Sequence, residues 1–66
     1  MFIMISDKIS GKDLNVNTSR IITYTADELE LSIVYKLVNN ILLEEEFTSL
    51  TDLTNKLNSL KEITES

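Results

Sequence analysis

Any chemistry in this chain falls to carboxylates, because few other reactive groups are present. The 66 residues include eleven Asp and Glu, six Lys and Arg, and neither His nor Cys. Without a thiol or an imidazole there is no Cys nucleophile and no His base. The same absences remove the usual ligand sets of zinc, haem and iron–sulfur centres. Gly11 is the single glycine, which excludes a glycine-rich phosphate loop. Asp27 with Glu30, and Glu44 with Glu46, are carboxylate pairs of a kind that arises on almost any acidic segment. No pattern sets a nucleophile or an oxyanion hole beside either pair. No catalytic residue, cofactor or metal site is therefore expected, and the chain reads as a non-enzyme.

The one charge run is Glu44-Glu45-Glu46. On a helix, successive side chains fan out by about 100°, so these three would not converge on one cation. The plain reading is a solvated corner. The functional reading is an acidic partner contact built from Glu44, Glu45, Glu46 and Asp52.

The element expected to carry that corner is a long helix over 25–47. Thr25 and Glu28 have capping-box spacing, and Asp27, Glu28 and Glu30 suit the positive end of a helix dipole. No Gly or Pro interrupts the segment. On a helical wheel Glu28, Ser32, Lys36, Asn39 and Asn40 share a narrow polar stripe, and apolar residues fill well over half the circumference. A helix resting on a single core needs an apolar stripe of only about 100° or a little more. This one asks for cover from two directions. Leu31, Val34, Tyr35, Val38 and Leu42 would form one flank, expected as a dimer or partner interface. Ala26, Ile33, Leu37 and Ile41 would face the protein's own sheet.

Residues 1–24 read as β-structure. Ser10-Gly11-Lys12-Asp13 is the clearest turn signal, 14–17 alternates with a period of two, and 20–24 is a further short strand. Residues 48–64 read as a second helix, with Leu50, Leu53, Leu57 and Leu60 in 3-4-3 spacing and Ile63 extending the seam. Thr48 or Ser49 can cap it. The expected fold is α+β: a short N-terminal antiparallel hairpin or meander, then two helices, ββ(β)αα, in a single domain spanning 1–66.

A chain this small buries only about 60% of its unfolded surface and is marginal unless reinforced. With disulfides and metals set aside, association remains, and a homodimer through the first helix is expected. Net charge is −5, divided as +1 over residues 1–24 and −6 over 25–66. An acidic half repels nucleic acid and attracts basic protein surfaces. No stretch approaches the length of a membrane span, and the early Asp7 speaks against a signal peptide, so a cytoplasmic location is expected.

These observations point to a small acidic protein–protein interaction module. Usage rich in Ile, Asn, Lys and Thr suggests an AT-rich genome. It fits a regulator or inhibitor of phage or mobile-element type that binds a host protein by mimicking nucleic-acid charge. The alternative rests on element order over 20–63, strand then helix then helix, which resembles the ribbon-helix-helix family of dimeric DNA-binding regulators. That resemblance implies a strand, 20–24, paired across a dimer and entering the major groove. The chain departs from the family in its long first helix, in having no Gly between the helices, and in placing Arg20 away from the DNA-facing side.

Overall fold

The computed structural model describes residues 1–65 and contains five strands, two 3-10 turns and one helix. The strands are β1 (Phe2–Asp7), β2 (Lys12–Asn17), β3 (Ile21–Asp27), β4 (Ser32–Leu37) and β5 (Leu42–Glu46), and the helix is α1 (Leu50–Glu65). The α+β mixture is present, but a short hairpin followed by two helices is not. A five-stranded antiparallel sheet precedes a single C-terminal helix, and the segment 25–47 is the end of β3, all of β4 and all of β5.

The physical reason lies in the residues themselves. Ile33, Val34 and Tyr35 are β-branched or aromatic, and such side chains pack well on a pleated surface. From Ile33 the side chains alternate: Ile33, Tyr35 and Leu37 are buried, whereas Val34 and Lys36 are exposed. The apolar arc that was too wide for a helix is the two faces of a strand viewed with the wrong period. Three residues then break any helix. Leu31, Asn39 and Asn40 have positive φ, at 52°, 69° and 61°. Asn tolerates this conformation better than most residues because its short side chain bonds locally. Asn39 and Asn40 turn the chain from β4 into β5, where the Leu37 amide donates to the Ile41 carbonyl at 2.8 Å. Thr25 caps nothing and lies in the ladder opposite Val34. The strand after Tyr24 also ends the ribbon-helix-helix likeness, which requires a helix there.

The sheet order is β2-β1-β5-β4-β3. β1 and β2 form a hairpin through the turn at Gly11, with Ile5 opposite Leu14 and Ile3 opposite Val16. Gly11 has φ 74°, a conformation that suits a residue without Cβ. β3, β4 and β5 form a meander, with Tyr24 opposite Tyr35 and Tyr35 opposite Leu43. The two parts join where β1 runs beside β5, at Asp7 and Glu45. β2 and β3 are therefore the two edges, yet only a 3-10 turn, Thr18–Arg20, connects them. Four strand spacings would separate them by about 19 Å in a flat sheet. The four peptide steps from Asn17 to Ile21 reach at most about 14 Å. The sheet must curl, and a cleft of about 300 Å³ whose lining includes Val16 of β2, Leu37 of β4 and Leu43 of β5 shows that it does.

Residues twenty apart hold equivalent backbone positions. Strand, turn, strand and 3-10 turn over 2–20 recur over 22–40, with Asp7 matching Asp27 and Gly11 matching Leu31. The inner face carries Ile3, Ile5, Val16, Ile33, Tyr35, Leu37 and Leu43, and α1 closes it with Leu53 and Leu60. Leu57 and Ile63 are half-buried and Leu50 is exposed, so the leucine seam docks through its middle. The Ser49 hydroxyl accepts from the Asp52 amide at 3.2 Å and opens the helix.

Candidate functional site: an acidic face on the sheet

β5 splits the glutamate run between the two sides of the sheet. Glu45 is buried and points inward with Leu43. Its carboxylate accepts from the Tyr35 hydroxyl at 2.8 Å and from the Ser6 amide at 3.1 Å, and Lys56 Nζ of α1 lies 3.3 Å away. Lys56 also donates to the Met4 carbonyl. Burial, and then the bond to Glu45, push the Tyr35 hydroxyl far above its ordinary pKa, so it is a neutral donor. Every polar atom of this cluster has a protein partner, which is the condition under which a buried charge is tolerated. Glu45 is thus a joint between strands β4, β1 and helix α1.

Asp7 makes the second joint. It is buried, and its carboxylate accepts from the amides of Ile9, Ser10 and Glu44 at 3.2, 3.0 and 3.0 Å. The Glu44 bond is the main reason its pKa lies below the ordinary value. Asp7 therefore closes its own turn and ties β1 to β5 at once.

Glu44 and Glu46 point to the other side, away from α1. There they meet Lys8, 3.6 Å from Glu44 and in contact with Glu46. The hydrogen bond to Glu46 is the first cause of the raised Lys8 pKa. Together with Asp27, the last residue of β3, and Glu30 from the turn that follows, these groups rim an open hollow of about 620 Å³. Thr25, Ser32 and Val34 form its floor. Four carboxylates against one lysine leave the hollow acidic. Among the described residues Asp27 is held by local bonds, accepting from the Leu29 and Glu30 amides at 2.9 and 3.2 Å.

The residues expected from sequence are therefore distributed differently. Glu44 and Glu46 belong to the acidic face. Glu45 is inside, and Asp52 is on the first turn of α1, where Thr48 donates to it at 3.1 Å. The five residues expected on one helix flank do not share a surface. Tyr35 is in the core, Val34 is on the opposite, acidic side, and Leu31 and Val38 are half-buried in turns. Leu42 is exposed at the start of β5. Of the residues expected to face the sheet, Ile33 and Leu37 are core, Ala26 is half-buried and Ile41 is exposed. Sequence reasoning missed Asp7, Lys8 and Lys56. Reading 42–46 with a period of two would have separated Glu45 from its neighbours.

Among the described residues no group of three or more His, Cys, Asp or Glu is arranged to hold a metal ion, and no helix is long and apolar enough to cross a membrane. Comparison with protein-family models, with curated proteins and with solved structures gives no significant match for this chain.

Proposed function

We propose that the chain is a small acidic interaction module that docks on a basic surface of another protein and alters that protein's activity. The observation that carries this reading is the hollow outside β3, β4 and β5. Asp27, Glu30, Glu44 and Glu46 rim it, Lys8 is the only cation among the described residues that line it, and the helix packs on the opposite side. A rigid sheet holds the two β5 carboxylates in register, so the field is presented without ordering a loop on binding. In this reading the chain runs no reaction of its own and needs no cofactor. Its acidic face competes with nucleic acid for a basic site, as expected of a regulator that mimics nucleic-acid charge.

Co-precipitation from bacterial extract with mass spectrometry tests this, using the chain and its Asp27→Lys/Glu46→Lys variant. The expected result is a basic partner that the wild-type chain retains, that duplex DNA displaces, and that the variant loses. A partner held equally by both chains would remove the acidic face from the interaction.

A further inference from the structure

The cleft of about 300 Å³ lies between β2 and the ends of β4 and β5, and it shares no lining residue with the acidic hollow. Its floor is apolar. Val16, Leu37 and Leu43 are buried there, and Ile41 is exposed at the mouth. Its polar lining is Asn15, Asn17 and Arg20, with no carboxylate among the described residues. The Asn17 side-chain oxygen already accepts from the amide and the hydroxyl of Ser19, at 3.1 and 3.0 Å. Its NH2 group is left as a donor. Arg20 is exposed and has no ion-pair partner among the described residues. Its guanidinium carries donors only. One 3-10 turn holds both groups, with Asn17 as its N-cap and Arg20 as its last residue.

An apolar floor bordered by donors and one guanidinium suits an apolar ligand with an anionic end. A guanidinium meets a carboxylate through two parallel hydrogen bonds, so a carboxylate is the matching anion. The volume is at the lower limit of ligand cavities, which leaves room for one alkyl group rather than a length of peptide. We infer that this cleft binds a small alkyl monocarboxylate, with its tail on Val16, Leu37 and Leu43 and its carboxylate on Arg20. The chain as a whole carries a charge of −5, and that field repels anions. An anion is therefore held here only by a local contact, which makes Arg20 the deciding residue. The inference does not depend on what the acidic hollow binds.

Titration of the isotope-labelled full chain, followed by amide NMR shifts, tests this with octanoate, octanol and acetate as probes. Octanoate should shift the amides of Val16, Arg20, Leu37 and Leu43 and reach saturation. Octanol lacks the carboxylate and acetate lacks the tail, and each should bind more weakly on the order of tenfold or more. Arg20→Gln changes an exposed side chain, so the free spectrum should keep its dispersion. It should weaken octanoate on the order of tenfold and leave octanol unchanged. Ile41→Ser, at the mouth, should weaken octanoate and octanol together. Octanoate shifts that never saturate or that fall elsewhere overturn the assignment. So does octanol binding as tightly as octanoate, or an Arg20→Gln chain that binds octanoate like the wild type. Two further outcomes also overturn it by naming another occupant. Tighter binding of a short peptide ending in a leucine carboxylate would give the cleft to a partner's chain end. Shifts at the same residues on raising the chain concentration without ligand would give it to a second copy.

Discussion

The first hairpin, β1–β2, and the second, β3–β4, share a backbone plan but not a buried face. Over 1–21 and 21–41 only Asp7/Asp27 and Ile21/Ile41 are identical at a spacing of twenty. Ile5 is buried, and its counterpart Thr25 is exposed; Asn15 is exposed, and its counterpart Tyr35 is buried. The topology requires this inversion. β1 lies to one side of β2, and β3 lies to the same side of β4, yet β3 runs opposite to β1. Only turning the hairpin over satisfies both conditions, and turning it over exchanges its faces. Turn chemistry and face selection are thus separate properties of a hairpin: the first is local, and the second is set by where the hairpin is inserted.

The aspartates show the consequence. Each begins a turn and accepts amide bonds two and three residues ahead. Asp7, turned inward, also holds the Glu44 amide of β5. Asp27, turned outward, is left to the acidic face.

Paired substitutions at positions twenty apart should break this equivalence, most strongly in the core. Tyr35→Ala removes a buried ring and leaves Glu45 without its hydroxyl donor, and should cost about 3–5 kcal/mol. Asn15→Ala should stay within about 0.5 kcal/mol. Urea unfolding of both variants makes the comparison, and similar midpoints would contradict the inversion.

The aspartate pair comes next. Asp27→Ala loses two exposed turn bonds and should cost about 1 kcal/mol. Asp7→Ala should lower the urea midpoint further, because the link from β1 to β5 is lost with the turn. Acidity sharpens the test. The folded pKa of Asp7 lies below its ordinary 3.8. Its contribution is therefore fully present above that value and is lost as pH falls through the folded pKa. Urea midpoints measured at falling pH should drop less steeply for Asp7→Asn than for the wild-type chain.

The smallest effect concerns the ends of the two turns. Gly11 and Leu31 both occupy the left-handed region. A methyl group at Gly11 would meet no atom within 4 Å, so Gly11→Ala reads backbone strain alone. The expected cost is about 1 kcal/mol by thermal unfolding. A neutral result would show that the first turn tolerates a side chain as the second already does at Leu31.

Some of this was legible in the residues. The turn at Gly11, the alternation of 14–17, the leucine seam of the C-terminal helix and the acidic excess of the later residues are all local properties. The segment 25–47 was not legible as a helical wheel. Its polar residues fell on one stripe by coincidence, and the β-branched run and the two asparagines carried the contrary signal. The site was legible only in part. Glu44 and Glu46 belong to the acidic face, but their partners there come from the turn after β1, the end of β3 and the turn that follows it.

The sequence by itself determined the turn at Gly11, that its last segment is a helix seeking a single neighbour, and that its charge is negative. Each follows from backbone preference or a count of side chains. Only the tertiary structure decided which of two alternating faces is inside. Strand residues carry both patterns at once, and the choice between them is made by the neighbour each strand finds. That choice buries Glu45, exposes Glu44 and Glu46, and separates Asp7 from Asp27, two aspartates with the same local role.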